Sequence, residues 1–332
     1  MTTAVEIHAK TILRKMKKTD SWFLASGGMN LYRGCGHDCA YCDGRAEKYQ
    51  VQGRFGTDIQ VKVNAVEVLR RELGLPASLQ AELWPGGRRG RGGYVLLGGG
   101  VGDAWQPAEE RCGLTRRVLE LFAENGVPVH VLTKSTLVLR DADILERIAK
   151  TAGALVSFSI SSADDPLSAI FEPGASPPSE RFAAIAALRS RGINSGVFLV
   201  PVLPFLTDTA EMIEESVAAA ARAGAMYVLF GGMTLKPGRQ KEHYLETLAR
   251  VRPDLVPGCR ALYERPESQQ WGNPPPAYSS SVTGHFARAA RRHGMAVRIP
   301  LELAAGMMDA RETGEIRSAY ARVEREMRLY GE

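Results

Sequence analysis

Short apolar runs, each followed by a longer stretch with helical spacing, recur between residue 29 and about residue 240. The apolar runs predict strands at 29–32, 94–97, 127–132, 154–160, 195–200 and 226–230. The longer stretches predict helices at 63–73, 108–125, 141–151, 179–191 and 208–223, with a sixth beginning after Gly238. Such an alternation predicts parallel strands that are joined by crossover helices.

Six strand–helix units are fewer than the eight of a closed barrel. We therefore predict an α/β fold, with a partial (β/α)6 barrel of the TIM type at residues 27–240. The basic N-terminal extension, residues 1–26, is expected to form an arm or a helix. Residues 241–332 are predicted to form a C-terminal extension packed on the barrel, with a helix at 285–293 and a strand at 296–301. In such barrels the functional side chains lie in the loops that follow the strands.

The composition limits the classes of protein that the chain can be. Its 332 residues, 45% of them hydrophobic, are enough to bury one large core. The sequence has no apolar run of about 18 residues, and residues 1–20 lack an apolar signal segment, so we expect no membrane span. The formal net charge of +5 is compatible with a nucleic-acid partner and does not require one.

The strongest chemical signal is a group of three cysteines within eight residues, Cys35, Cys39 and Cys42, spaced C-x3-C-x2-C. Thiolates are soft ligands, and three of them on one glycine-bearing loop can converge on a metal centre. Three protein ligands would leave one iron of a [4Fe–4S] cluster open to a non-protein ligand. The other two cysteines, Cys112 and Cys259, lie far apart in the sequence, so we expect a reducing cytoplasm and no disulfide framework.

A structural zinc site is the alternative interpretation of the same loop, because zinc accepts three cysteines and one histidine. His37 would then be the fourth ligand, and the chain would be a zinc-stabilised nucleic-acid-binding protein. Zinc ligands usually come as two separated pairs, and His37 is tethered closely to the cysteines. The spacing therefore favours the iron–sulfur cluster.

The cysteine spacing, with the aromatic Tyr41 directly before the third cysteine, resembles the signature of the radical S-adenosylmethionine (SAM) superfamily. This resemblance implies a [4Fe–4S] cluster on the three cysteines, with SAM on the open iron and Tyr41 beside the adenine. It further implies reductive cleavage of SAM to a 5′-deoxyadenosyl radical that abstracts a hydrogen atom from a substrate. A reducing partner of the flavodoxin or ferredoxin type would supply the electron.

The loops after the second, third and fourth predicted strands supply candidate SAM ligands. Gly98, Gly99 and Gly100 allow a close approach of the backbone, and the superfamily holds the methionine amino group at this place. Asp103 follows and either adds a carboxylate or caps the next segment. Lys134 is placed to pair with the methionine carboxylate. The simpler alternatives are a flexible turn and a surface lysine.

The fourth predicted strand carries a polar stripe. Ser157, Ser159 and Ser161 alternate along it and are expected on one face, where hydroxyls can meet water, a ribose or a carboxylate. A strand that is merely lined with hydroxyls is the simpler alternative. We expect Ser157 and Ser159 to contact SAM.

Three segments narrow the resemblance: Thr133-Lys134, Phe158-Ser159-Ile160 and Phe171-Glu172-Pro173-Gly174-Ala175-Ser176-Pro177. Together they resemble the spore photoproduct lyase family, whose members are also called DNA repair photolyases, from the cysteine loop to about Pro204. The resemblance implies that Lys134 and Ser159 hold SAM.

Two positions depart from the lyases proper, which makes repair of a thymine dimer doubtful. Gly100 stands where those enzymes carry the cysteine that donates a hydrogen atom, and Asp43 stands where they carry a tyrosine. The segment Gly102-Asp103-Ala104-Trp105-Gln106-Pro107-Ala108-Glu109 instead resembles a large, mostly uncharacterised branch of the family. Cys112, near the start of a predicted helix that would favour a thiolate, is the candidate substitute donor, although a lone cysteine in a helix is more often a small buried hydrophobe.

Overall fold

The computed structural model describes residues 3–74, 93–99, 101–265 and 271–331. Within these ranges the strands are β1 Thr3–Ile7, β2 Arg14–Asp20, β3 Ala25–Met29, β4 Tyr32–Arg33, β5 Asp58–Lys62, β6 Tyr94–Leu97, β7 Val129–Thr133, β8 Ala154–Ile160, β9 Asn194–Val202 and β10 Val228–Gly232. The α-helices are α1 Ala65–Glu72, α2 Glu109–Cys112, α3 Leu114–Asn125, α4 Ala142–Thr151, α5 Asp165–Phe171, α6 Pro178–Ser190, α7 Ala210–Arg222, α8 Arg239–Val251, α9 Val256–Tyr263, α10 Pro276–Arg292 and α11 Ala310–Gly331.

A seven-stranded sheet in the order β10-β9-β8-β7-β6-β3-β2 forms the centre of the molecule. Its strands β3 and β6 to β10 are mutually parallel, whereas β2 pairs antiparallel with β3 at the edge. The six parallel strands and their crossover helices form a curled half-barrel, which confirms the predicted α/β fold with a partial TIM-type barrel. A separate small sheet, in the order β1-β5-β4, holds the chain just before the cysteine loop.

The two faces of the half-barrel are packed by different parts of the chain. Val156, Phe158 and Ile160 of β8 belong to the apolar cluster that includes the crossover helices. On the opposite face, a second cluster combines residues of the parallel strands with residues of the C-terminal segment, among them Tyr94, Leu155, Phe198, Tyr227, Ile299, Met307, Ile316 and Tyr320. The chain after residue 295 therefore fills the inner face of the half-barrel.

Several elements differ from their predictions. Part of the N-terminal basic segment, predicted as an arm or a helix, forms the edge strand β2. The first barrel strand covers Ala25–Met29 rather than 29–32. The predicted helix at 108–125 is broken at Gly113, because the Glu109 carboxylate accepts hydrogen bonds from the backbone N–H groups that begin α3.

The predicted strand at 296–301 is wrong. Ala296 forms a single bridge to Tyr227, and the chain then enters a 3-10 turn at Leu301–Ala304. Among the described helices, none is both long enough and apolar enough to cross a membrane. The predicted domain boundaries near residues 26 and 240 stay predictions.

Candidate functional site

The three cysteines of the loop after β4 line one cavity of about 110 Å³ at the C-terminal end of the parallel strands. Residues from the loop after β6, from the end of β7 with the lysine that follows it, and from the end of β8 complete its wall. The lining residues are Cys35, His37, Cys39, Cys42, Gly99, Gly102, Asp103, Leu132, Thr133, Lys134 and Ser159. The structure thus brings together residues that are more than 100 positions apart in the sequence.

A buried amide holds the first half of the cysteine loop. Gln106, which is fully buried, accepts a hydrogen bond from Gly36 N at 2.7 Å through its Oε1 atom. Its Nε2 atom donates to the carbonyl oxygens of Gly34 at 3.2 Å and of Asp103 at 3.3 Å. The glycine loop after β6 and the cysteine loop are therefore bonded to each other through one side chain.

The segment between α5 and α6 packs against the other side of the cysteine loop. Gly174 N donates to the carbonyl oxygen of His37 at 3.0 Å, and Ala40 N donates to that of Phe171 at 2.8 Å. A Cβ atom at position 174 would lie only 2.1 Å from the carbonyl oxygen of Gly36. Glycine at this position therefore permits the two backbones to touch.

Without a bound metal, the surroundings of the three thiols favour their neutral form. Burial raises the pKa of Cys35, and the nearby Asp103 carboxylate raises it further. Burial and the Glu172 carboxylate likewise raise the pKa of Cys39, and burial raises that of Cys42. Metal ligation requires thiolates, so a bound cationic centre would supply the charge that these thiols need in order to ionise. Three soft donors on one cavity wall fit an iron–sulfur cluster.

The geometry fits a single zinc ion less well. Within the described ranges, no three His, Cys, Asp or Glu side chains form a group that could hold one metal ion. His37 has its Nδ1 atom 2.8 Å from the carbonyl oxygen of Gly174 and its Nε2 atom 3.1 Å from Asp103 Oδ2. Both ring nitrogens thus face partners other than the cysteines. A cubane cluster spreads its thiolates over separate irons and needs no common meeting point.

Asp103 is a buried carboxylate that is already well supplied with donors. It accepts hydrogen bonds from Thr133 Oγ1, Lys134 N and Trp105 N, each at 2.8 Å. Burial alone would raise the pKa of Asp103, but the adjacent His37 and the backbone N–H donors outweigh it, so the pKa is lowered. Its charge therefore persists at neutral pH and holds the β6 and β7 loops together.

The glycine loop offers backbone rather than side chains to the cavity. Gly98 and Gly99 have φ values of +82° and +90°, and a Cβ atom at position 98 would lie 2.5 Å from the carbonyl oxygen of Leu132. Gly99 and Gly102 line the cavity. Gly100, the third glycine of the prediction, lies outside the described residues.

Lys134 lines the cavity, and its ammonium group is bound by a buried carboxylate. Its Nζ atom lies 2.9 Å from Glu172 Oε1 and 3.5 Å from the carbonyl oxygen of Ser159. Glu172 is buried and also accepts hydrogen bonds from Tyr41, Ser161 and Arg181. Burial would raise the pKa of Glu172, but the Arg181 and Lys134 cations outweigh it and hold that pKa well below its usual range.

The polar stripe of β8 divides between the cavity and the core. Ser159 lines the cavity and donates its hydroxyl to the carbonyl oxygen of Val200 at 2.7 Å. Ser157 is fully buried, with its Oγ atom 2.7 Å from His130 Nε2 and 2.6 Å from Tyr227 Oη, and it is not among the lining residues. The structure therefore places Ser159, and not Ser157, at the cavity.

Cys112 stands apart from this cavity. The sequence places Cys112 near the start of a helix, where a thiolate would be favoured. In the structure it is the last residue of the short helix α2, and it packs against the main apolar cluster. Burial and the Glu109 carboxylate raise the pKa of Cys112, so the expected thiolate is not favoured.

Three residues that the sequence did not single out for the site are central to it: Gln106, Arg181 and Gln240. Gln240 is fully buried, and its Nε2 atom donates to the carbonyl oxygen of Tyr41 at 2.8 Å and to Asp43 Oδ1 at 2.9 Å. Asp43 also lies 2.6 Å from Lys236 Nζ. Lys236, in the loop after β10, and Gln240, in α8, are thereby bonded to the residues on either side of Cys42. The sequence pattern does not show these contacts.

Sequence comparison finds a family model and relatives that match this chain. The family model of the radical SAM superfamily matches residues 29–217. An uncharacterised protein of Mycobacterium tuberculosis is 35% identical over 241 residues, which cover 71% of this chain and 67% of that protein. An uncharacterised protein of Methanocaldococcus jannaschii is 26% identical over 219 residues, which cover 66% of this chain and 74% of the relative.

Solved structures give the same fold. Spore photoproduct lyase complexed with dinucleoside spore photoproduct aligns with a TM-score of 0.58 and 17% identity, over 87% of this chain and 79% of the lyase. A variant of that lyase with bound AdoMet and the same dinucleoside aligns with a TM-score of 0.59 and 16% identity, over the same shares of both chains. At these identities the likeness concerns the fold alone.

Proposed function

The chain belongs to the radical SAM superfamily, and from this premise we propose that it is a radical SAM enzyme with a [4Fe–4S] cluster on Cys35, Cys39 and Cys42. When bound, cluster and SAM would supply a 5′-deoxyadenosyl radical that abstracts a hydrogen atom from the substrate. The observation that carries the proposal is the shared cavity, in which the three cysteines face glycine backbone, Lys134 and Ser159.

The residues around the cysteines suit the polar end of SAM. Lys134 would pair with the methionine carboxylate as a point charge. The cavity-lining backbone of Gly99 and Gly102 would accept hydrogen bonds from the ammonium group. Tyr41 is buried and does not line the cavity; its ring centroid lies 5.5 Å from the Lys134 Nζ atom, and its contact with the adenine stays a prediction. In this proposal the protein binds and orients the cofactor, which carries the reactive chemistry.

Nucleic acid is a candidate substrate class. A dinucleoside lesion is bound by the lyase of similar fold, and a nucleic-acid substrate is compatible with the +5 charge. Asp43 stands where the lyases carry a tyrosine, and here its carboxylate is engaged by Thr234 Oγ1 at 2.7 Å and by Lys236. We therefore propose hydrogen abstraction, and not repair of a thymine dimer, as the reaction of this chain.

The test is the formation of 5′-deoxyadenosine without substrate. Protein reconstituted anaerobically with iron and sulfide is mixed with SAM and dithionite, and the nucleoside is quantified by chromatography. The wild-type protein should form it, and Cys39→Ala should not. Cys259→Ala is the matched control, because it removes a buried thiol of α9 outside the cavity and should leave the yield unchanged. A wild-type protein that forms none, or that binds one zinc ion in place of the cluster, would contradict the proposal.

The hydrogen donor is a separate question. Because Cys112 lies outside the cavity, Cys112→Ala is expected to form 5′-deoxyadenosine at the wild-type rate. If its thiol reduces a substrate radical, the variant would retain SAM cleavage and yield a different product once a substrate is known.

A further inference from the structure

Side chains from several segments meet at one carboxylate beside the cysteine loop. Tyr41, from that loop, donates its hydroxyl hydrogen bond to Glu172 Oε1, and the Lys134 Nζ atom lies 2.9 Å from the same oxygen. Arg181, from α6, donates to the other oxygen, Oε2. Glu172 and Arg181 are 1% and 0% exposed, so their mutual geometry is set by the protein and not by solvent.

Arg181 and Ser168 hold the Oε2 atom of the Glu172 carboxylate in place. Arg181 also donates to the carbonyl oxygen of Ser159 at 2.8 Å and to that of Ser176 at 2.6 Å. Ser168 Oγ donates to Glu172 Oε2 at 3.2 Å. With Oε2 held in this way, Oε1 accepts hydrogen bonds from Lys134, which lines the cavity, and from Tyr41 and Ser161.

We propose that Glu172 is a positioning residue, which sets the distance between the Lys134 ammonium and the cysteine loop. Tyr41 lies between Cys39 and Cys42 in the sequence. Its bond to Glu172 therefore ties the cysteines to the carboxylate that holds Lys134. This inference rests on the proposed function, because it takes Lys134 as the group that receives the carboxylate of SAM.

Charge and positioning predict opposite effects of a Glu172 replacement on SAM binding, which makes the inference testable. Lys134, Glu172 and Arg181 together carry one net positive charge. Replacement of Glu172 by glutamine would leave two cations beside the cavity and, by Coulomb attraction, would tighten the binding of an anionic group. A positioning role predicts that the same replacement weakens the binding, because Lys134 loses the group that holds it in place.

Equilibrium dialysis of cluster-loaded protein against SAM, without reductant, separates the two expectations. Glu172→Gln should weaken SAM binding by about tenfold or more, as loss of an orienting partner does at metal sites, with an unchanged iron content. Decarboxylated SAM, which lacks the carboxylate, should bind to the variant and to the wild type alike. Tyr41→Phe keeps every charge and removes only the hydroxyl link, so it should show the same selective weakening even if the glutamine variant does not fold.

Two further variants sharpen the result. In a Lys134→Ala background, Glu172→Gln should have no additional effect on SAM binding, because its influence passes through the lysine. Glu146→Gln is the matched control, since it removes a carboxylate that pairs with Lys150 and Arg191 on the surface. Unchanged or tighter SAM binding by both Glu172→Gln and Tyr41→Phe would overturn the inference, as would an equal loss with decarboxylated SAM. A wild-type protein that binds no SAM would instead overturn the proposed function.

Discussion

At the residue scale, the site is organised by buried carboxylates with fixed partners. Asp103 joins the β6 and β7 loops, and Glu172 joins Lys134, Tyr41 and Arg181. Neither arrangement is visible in the sequence, because Lys134 and Tyr41 lie 38 and 131 positions from Glu172, and Thr133 lies 30 positions from Asp103. The sequence does identify the three cysteines, by their spacing, and Lys134 and Ser159, by their places at the ends of predicted strands.

The charge of Glu172 should make stability depend on pH in a defined direction. Near neutral pH, Glu172→Gln should lower the free energy of unfolding of the metal-free protein by about 3 kcal/mol, because it leaves Arg181 buried without its anion. The folded-state pKa of Glu172 is lowered, so its contribution is present above the unfolded-state pKa of about 4.3 and is lost as the pH falls toward the folded-state value.

Urea unfolding of both proteins at pH 7 and at several values below about pH 4 measures this difference. The gap between wild type and variant should narrow as the pH falls. A gap that stays constant or widens would show that the carboxylate is not held as an anion by Arg181 and Lys134.

At the element scale, the local pattern predicts strands well where apolar residues are continuous. The strands 94–97 and 154–160 are found as predicted. The first barrel strand, Ala-Ser-Gly-Gly-Met, differs from its prediction because glycine and serine disfavour strands, and its pairing with β6 and β2 stabilises it. The break before α3 was missed because it depends on the Glu109 carboxylate, which Arg140 also binds at 2.7 Å.

The contact between the α5–α6 segment and the cysteine loop gives a prediction at this scale. Gly174→Ala would place a methyl group 2.1 Å from the backbone oxygen of Gly36, so one of the two segments must move. We expect a lower iron content after anaerobic reconstitution, together with a loss of stability, because movement of either segment alters the contact that holds the cysteine loop. Iron analysis and thermal unfolding measure the two effects.

Gly314→Ala is the control for the same chemical change. Position 314 lies in α11, and a Cβ atom there meets nothing within 4 Å. This variant should bind iron as the wild type does and should gain up to about 1 kcal/mol of stability from the higher helix propensity of alanine. Equal iron contents in the two variants would contradict the close packing at Gly174.

At the scale of the whole molecule, the inner face of the half-barrel is closed by the C-terminal segment. The sequence predicts that residues after 240 pack on the barrel, but the pattern of α11 does not show which surface it covers. Ile316 and Tyr320 join the cluster around Tyr227, whereas Leu329 of the same helix is 75% exposed. Ile316→Ala should therefore cost about 2–4 kcal/mol, and Leu329→Ala less than about 0.5 kcal/mol.

Denaturant unfolding of the two alanine variants tests that closure. A loss of stability in Ile316→Ala, with none in Leu329→Ala, would support the packing of α11 inside the half-barrel. Equal small effects would mean that this helix does not stabilise the barrel in solution.

The central claim is that three cysteines hold a cluster with one iron open to SAM, and electron paramagnetic resonance tests it most directly. The protein is reconstituted anaerobically, reduced with dithionite and measured before and after the addition of SAM. We expect the signal of a reduced [4Fe–4S] cluster whose g-values change when SAM is added, and no such signal from Cys39→Ala. A wild-type protein without a cluster, or with a signal that SAM leaves unchanged, would contradict the claim.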